Sequence, residues 1–462
     1  MSDFVTYPEI EPSEVDWIGD VPSHWKERKI IYGFQQVGSG TTPKSDNDAY
    51  YDDEGVPWVT TSELRETTIT KTKQYLTPKA MEDHSSLRLY PIDSVLFAMY
   101  GATIGRLGLL GVPSTVNQAV CVFAKPRDVH HKYIFYWLLM RRDILVGLSS
   151  GGGQPNLSQD DLRKVKTLVP PREEQEQIAR FLDSAVGKID TLVSKKREMI
   201  ELLQEKRRAL VSRCVTRGLP PDAARADGLD TQPKLKPSGI EGLDGIPDDW
   251  TVRKVWIDRV LGNFDLQDGN HGEIHPKADD YVDDGIPFVM ANHLVDGEID
   301  FSICNFIEKE QADSLRIGFS NEGDVLLTHK GTVGRVGMVQ ESEYPYVMLT
   351  PQVTYYRCFK VLQNRFLFWL MQSGFWQDQL KLVAGLGSTR AYIGLLAQKT
   401  LSFLIPSSEE QKVIAEYLDI EATKLDSLVL KIEEVIERLE EYRSALITAA
   451  VTGKIDVREV KV

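Results

Sequence analysis

The chain lacks most of what marks an enzyme, a disulfide scaffold or a membrane protein. Its 462 residues include four cysteines, Cys121, Cys214, Cys304 and Cys358, scattered too widely to match any metal-ligand spacing. Reduced thiols in a cytoplasmic protein are the plain reading, and no metal site is expected. No stretch approaches the roughly 18 consecutive apolar residues that a membrane span needs. The richest, around Phe366 to Met371, is far too short. Met1 to Pro8 has no apolar core, so it does not read as a signal peptide. There is no Asn/Asp-Pro-Pro-Tyr/Phe motif and no Gly-x-x-x-x-Gly-Lys-Ser/Thr phosphate loop; Gly38 to Lys44 has glycines and a lysine at the wrong spacing. Positive charge is also short, with a net charge of −14. That argues only weakly against a nucleic-acid partner, because binding depends on local patches rather than on the total.

What is present is a repeat. Residues 173–216 reappear as 409–452, shifted by 236, with 22 of 44 positions identical and no gap. A period of hundreds of residues is not a solenoid, whose units run about 20–50 residues, and it reads as a duplicated module. Each copy follows a proline-marked boundary, Val169-Pro170-Pro171 or Ile405-Pro406-Ser407, suited to the start of a helix. Apolar residues then alternate by four and three. In the first copy the expected seam is Ile178, Leu182, Ile189, Leu192, Met199, Leu203 and Leu210, with Ala185, Lys196 and Lys206 filling the intervals. In the second it is Ile414, Leu418, Leu425, Leu428, Ile432, Val435, Leu439 and Leu446, with Glu421 and Tyr442 between. This is a heptad pattern, and each helix would be about 65 Å long at about 1.5 Å per residue. Ser194 and Lys195, midway, mark where a break would fall. A solitary helix of this length has nothing to bury its stripe against, so the economical partner is the other copy. Their charges complement: residues 173–217 carry ten Lys/Arg and eight Asp/Glu (+2), and residues 409–443 carry five and eleven (−6).

Ahead of each helix lies a strand-rich region, and the two are distantly alike. Residues 13–25 (SEVDWIGDVPSHW) match 238–250 (SGIEGLDGIPDDW), and 55–64 (GVPWVTTSEL) match 285–294 (GIPFVMANHL). Residues 93–110 (DSVLFAMYGATIGRLGLL) match 324–339 (DVLLTHKGTVGRVGMV). Residues 133–141 and 365–372 read as short helices, and Gly218 to Lys236 reads as an exposed connector. Landmarks agree while the loops between them diverge, as expected of two domains of one fold that recognise different things.

On these residues the chain resembles the specificity subunits of type I restriction–modification systems. The resemblance covers nearly the whole chain and rests on three motifs. The first is Pro170-Pro171-Arg172-Glu173-Glu174-Gln175-Glu176-Gln177-Ile178-Ala179, with its echo at 406–415. The others are the Ile/Val-Pro-x-x-Trp motifs at Val21–Trp25 and Ile246–Trp250, and residues 151–158 (GGGQPNLS). It implies an α+β architecture: two similar strand-rich mixed α/β target-recognition domains and two long helices packed as an antiparallel coiled coil, in a pseudo-two-fold repeat. The corresponding boundaries are 1–170 for the first recognition domain, 171–218 for the first helix, 219–236 for a linker, 237–406 for the second domain, and 407–462 for the second helix and tail. It further implies that each domain reads one half of a split, asymmetric target in double-stranded DNA, while the paired helices set the gap between half-sites. The helices would dock two modification subunits that methylate adenine with S-adenosylmethionine, and two restriction subunits would add ATP- and Mg-dependent chemistry. The chain itself would bind no cofactor and carry no catalytic residue. Two other readings stand beside this one: a recognition subunit of a methylation-only system, and a coiled-coil protein-interaction scaffold without a DNA role.

Candidates for touching DNA are the loops at matched positions, since phosphates are gripped by Lys, Arg, hydroxyls and amides, and bases are read by Arg, Lys, Asn, Gln and Ser/Thr. Ser39, Thr41, Thr42 and Lys44 offer hydroxyls, a close backbone approach and a lysine. Thr60, Thr61 and Ser62 are matched with Ala291, Asn292 and His293, a change of donor set that suits different half-sites. Tyr100, Thr103 and Arg106 are matched with His329, Lys330, Thr332 and Arg335. Ahead of the helices, Gln154 and Asn156 are matched with Ser388, Thr389, Arg390 and Tyr392. Asp52-Asp53-Glu54 and Asp279-Asp280 are acidic turns, His271 and His275 solvated histidines, and Trp25 and Trp250 core residues.

Overall fold

Strands form where β-branched and aromatic residues run without polar alternation, as expected for segments covered on both faces. The computed structural model describes residues 4–15, 17–147, 156–271, 275–384 and 392–460. In the first domain a five-stranded sheet has the order Phe34–Gly38, Val120–Pro126, Val95–Ala98, Leu107–Leu110, Thr68–Ile69. Its last pairing is parallel and the others antiparallel. Successive side chains point to opposite faces and so divide between two cores. Phe97, Cys121 and Phe123 pack with Trp25, Tyr133 and Trp137, whereas Leu96, Val120 and Val122 pack with Val59, Leu64 and Val116. The second domain repeats the plan. Its four-stranded antiparallel sheet runs Phe264–Asp268, Val353–Cys358, Val325–Lys330, Thr332–Met338. In both domains the strand leading into the long helix pairs with one just after the Trp motif: Lys166–Val169 with Lys26–Lys29, and Ser402–Ile405 with Thr251–Lys254.

The long helices are Arg172–Arg217, of 46 residues, and Ser408–Val451, of 44. Neither is interrupted, so no break occurs at Ser194 and Lys195. Helix also covers His131–Gly147, and in the second domain Asn364–Gln372 and Gly374–Ala384. Among the described residues no helix is long and apolar enough to cross a membrane.

Each long helix is divided between two compact units. The chain forms two units, residues 1–196 with 434–462, and residues 197–433. In the first, Ile178, Leu182, Val186 and Ile189 of the first long helix share a core with Leu446, Ile447, Ala450 and Val451 of the second. In the other, Val211, Cys214 and Val215 share a core with Ile414, Leu418 and Ala422. Each unit therefore buries the start of the helix that follows its own strands and the end of the other copy. The physical reason is that an apolar stripe gains stability from tertiary burial rather than from helix propensity. The 219–236 segment is not simply an exposed connector. It contains the short helix Pro221–Ala226, and Leu219 and Ala224 are buried in the second unit's core.

Within each unit the two helices run antiparallel and make the same ion pair. Arg443 meets Asp190 at 2.8 Å in the first unit, and Arg207 meets Asp426 at 2.9 Å in the second. A shift of 236 in sequence carries one pair onto the other. The seam departs from expectation at four positions after Ile189 and Leu425, while Leu203, Leu210, Ile432, Leu439 and Leu446 stay buried or half-buried. Leu192, Met199, Leu428 and Val435 lie outward, 40–47% exposed, while their neighbours Val193, Ile200, Val429 and Ile436 are buried or half-buried. A straight helix turns every 3.6 residues and drifts about 20° per heptad from a strict 3.5 repeat, so an extra step of four moves the seam on by one residue.

Candidate nucleic-acid interface

Buried and half-buried polar contacts fix each strand-rich domain on the start of its helix, and a set of them occurs in both domains. Trp25 Nε1 donates to Glu174 at 3.0 Å, and Trp250 Nε1 donates to Glu410 at 2.9 Å. The Gln175 amide donates to the carbonyls of Asp128 and Pro170 and accepts from the backbone of His130. Gln411 does the same with Val361, Pro406 and Gln363. Asp183 receives Lys132 and Tyr136; Asp419 receives Arg365 and Trp369. The two motifs that stood apart in sequence are therefore one device: the tryptophan's indole N–H meets the helix's second glutamate. Trp25 and Trp250 are core residues, as expected, and also carry this bond.

The glutamates differ in what surrounds them. Glu174 also receives Tyr7 and His24, at 2.5 and 2.8 Å, whereas Trp250 is the one side-chain donor found on Glu410 among the described residues. Burial, opposed by the Trp250 bond, raises the Glu410 carboxyl above the ordinary glutamate value of 4.5. The folded state then holds this proton more tightly than the unfolded chain, so the group costs stability at neutral pH and the cost is relieved as pH falls through the folded value. Glu410→Gln, which keeps an oxygen for Trp250, is expected to be neutral or stabilising at pH 7. The wild type should gain on the variant as pH approaches 4.5, read as paired urea titrations; a difference independent of pH would refute it.

On this frame sit the loops. Residues 39–44 are pinned from inside, since Tyr90 donates to Ser39 O, Trp58 to Thr41 O and Tyr51 to Pro43 O. Gly40 lies against the backbone, and a β-carbon there would be 1.7 Å from Val116 O. Thr42 and Lys44 remain exposed, and Thr42 donates to Gln118, a residue the sequence reading missed. Thr60, Thr61 and Ser62 form a short turn closed by Glu63, which accepts from the Thr60 backbone and from Lys73 N. A groove of about 910 Å³ beside Ser62 is lined by Arg65, Thr67, Thr70, Lys71 and Lys73 together with Asp53, Glu54 and Glu63, and most of these residues were not among the sequence candidates. For residues 65–73 the signal was available as alternating hydroxyl and basic residues on and beyond the edge strand Thr68–Ile69.

Two predicted contacts in the second domain change role. His293 is 2% exposed and accepts from Met290 N through Nδ1, so it closes its turn as Glu63 does. The matching of Thr60 to Ala291 was one residue out of step: Ser62 corresponds to Asn292 and Glu63 to His293, and Asn292 is the exposed member. His329 is 1% exposed, 3.4 Å from Asp268 and 5.7 Å from the tilted Tyr392 ring. Burial lowers the proton affinity of both histidines, against the pull of Asp300 or Asp268, so neither is a surface cation for phosphate. Sequence pattern could not separate an inward histidine from an outward one at a strand end.

The remaining candidates are brought together in pairs. Tyr100 bridges to Asn156 in the first domain and Lys330 to Tyr392 in the second, each joining the end of a central strand to the segment before the long helix. Asn156, Lys330, Thr332 and Tyr392 are exposed; Tyr100 and Thr103 are half-buried. Arg106 is exposed, and Arg335 is exposed with its guanidinium 3.5 Å from Leu294 O. Gln154, Ser388, Thr389 and Arg390 lie outside the described residues.

Comparison with known proteins decides what this paired frame belongs to. Residues 22–202 match the family model for the type I restriction modification DNA specificity domain. The MjaVIII specificity subunit of Methanocaldococcus jannaschii is 22% identical over 374 residues, 80% of either chain. The EcoBI specificity subunit of Escherichia coli is 23% identical over 351 residues, 74% of this chain and 70% of that one. Residues 22–202 carry a type I DNA specificity domain. A solved chain from a study of complex assembly and conformational transition of the type I R-M system has the same fold. Its TM-score is 0.64 at 16% identity, over 94% of this chain and 99% of that chain. A DNA sequence-specificity role is supported by that domain and by the specificity subunits the chain resembles, and the scaffold and methylation-only readings are not favoured.

Proposed function

We propose that each domain reads one half of a split DNA target through the loops described above, and that the paired helices set the separation of the half-sites and dock the partner subunits. The observation that carries this is a frame whose Trp–Glu, Gln and Asp contacts recur in both domains beneath loops that are not repeated. Glu63 faces His293 across the duplication, and the Tyr100–Asn156 bridge answers to Lys330–Tyr392. A duplicated support with different exposed donors suits two different base sequences, since base edges are distinguished by donor and acceptor pattern. Two modification subunits would bring S-adenosylmethionine and methylate adenine, two restriction subunits would add ATP- and Mg-dependent cleavage, and this chain would contribute recognition without chemistry.

The reconstituted complex with modification subunits should bind a duplex carrying its split motif at least about 10³-fold more tightly than a scrambled duplex. Binding should weaken steeply with salt. Tight binding that ignores sequence would overturn the recognition reading.

A further inference from the structure

The second domain buries a polar network at positions where the first is apolar. Gln398, 0% exposed, accepts from the Tyr356 hydroxyl at 2.8 Å. Its amide donates to Thr354 Oγ1 at 3.1 Å and to the Ile393 carbonyl at 2.9 Å. The Thr354 hydroxyl donates in turn to Asp268 at 2.7 Å, and Asp268 lies 3.4 Å from His329 Nε2. Strand register identifies the counterparts in the first domain. Val325 and Leu327 pair with Tyr356 and Thr354, as Val95 and Phe97 pair with Phe123 and Cys121. Ile393 N donates to His329 O as Leu157 N donates to Met99 O, and a shift of 236 carries Leu162 onto Gln398. Phe123, Cys121, Met99 and Leu162 all lie in the apolar core of the first unit.

The fold therefore closes without these polar groups, and burying them costs desolvation that an apolar core avoids. What a satisfied network adds is orientation, because each bond ties one donor to one acceptor. This network ends at the reading face. Gln398 holds the carbonyl of Ile393, the residue after Tyr392, and Lys330, next to His329, bridges to Tyr392. Lys330 and Tyr392 are both exposed. Leu162 has no atom with which to hold the Leu157 carbonyl in the same way. We propose that Gln398 is a positioning residue for the second half-site, fixing through Ile393 where Tyr392 and Lys330 stand against the bases. The inference rests on the half-site reading proposed above.

Gln398→Leu, alone and together with Tyr356→Phe, gives the second domain the residues of the first at these positions. Gln398→Leu should lower the melting temperature, since it strands the Tyr356 hydroxyl. The paired variant should recover most of that loss, because the stranded hydroxyl is gone as well. Discrimination should not recover with it. The readout is competition binding by the complex with modification subunits, using duplexes that carry the split motif with one base pair changed in either half. Each change should weaken wild-type binding about ten-fold or more. In the paired variant the penalty for at least one position of the second half should shrink to less than about three-fold, with first-half penalties unchanged. Tyr356→Phe alone keeps the bond to Ile393 and should leave both halves discriminating. Second-half discrimination that returns with stability in the paired variant would show that the network only packs the core, and would overturn the proposal. A relaxed second half in Tyr356→Phe, or relaxation of both halves in the paired variant, would overturn it too. If the wild type discriminates at neither half, the half-site reading fails first and this inference falls with it.

Discussion

Replacing Glu174 by alanine should cost the first unit about 3–5 kcal/mol, and replacing Glu410 in the second about 1–2 kcal/mol. The two residues hold the same position in the duplication and differ in load. Glu174 is the acceptor for Tyr7, Trp25 and His24, with its side chain 6% exposed. Its removal strands two buried donors at about 1–3 kcal/mol each and opens a small cavity. The His24 contribution is smaller, since that side chain is 39% exposed. Glu410 strands the Trp250 indole alone and at the same time relieves a buried carboxylate that its surroundings oppose. Glu174→Gln should be intermediate, because an amide oxygen still serves one donor while its NH₂ faces the others. Urea unfolding followed by tryptophan fluorescence reads the difference, provided the two units' transitions are fitted separately. Equal losses at the two positions would show that the extra donors on Glu174 add nothing.

The duplication, the helices and the strand-rich domains were legible because each leaves a long-range or periodic trace: 22 identities in register, a four-three stripe, β-branched runs between turns. The pairing of helix copies was legible from complementary charge, and Asp190–Arg443 and Arg207–Asp426 make it concrete. Three things were not. The seam's turn to Val193 and Ile200 depends on the small mismatch between 3.5 and 3.6, which a pattern of apolar residues on both sides cannot resolve. That the helix end near Leu446 belongs to the core of Trp25 is a contact across more than 400 residues with no local signature. Reading loops are the least legible, since His293 and Lys330 both look like surface donors in sequence while one closes a turn from inside and the other is exposed. Backbone register decides between them.

Exchanging residues 237–405 for the matching domain of a type I specificity subunit should replace one half of the recognised motif and leave the other intact. Affinity for the old second half-site should fall by at least about 10³-fold, the usual gap between specific and non-specific binding. The cut points fall outside the reading loops but inside a core, so the structure sets the terms on which the graft folds. The host keeps Val211, Cys214 and Val215 on one helix and Ile414, Leu418 and Ala422 on the other. It also keeps Glu410, Gln411 and Asp419, whose partners Trp250, Gln363, Arg365 and Trp369 all come from the exchanged segment. A donor that supplies a tryptophan at 250, a cation at 365 and an indole or phenol at 369 meets those acceptors; Lys132 and Tyr136 of the first domain show that the second pairing tolerates such variation. A donor lacking them would leave Asp419 half-buried without its cation and should fail by instability rather than by altered reading. The methylated positions in host DNA report the outcome directly. One conserved half and one new half is the expected pattern, and a change in both would mean that the two domains do not read independently.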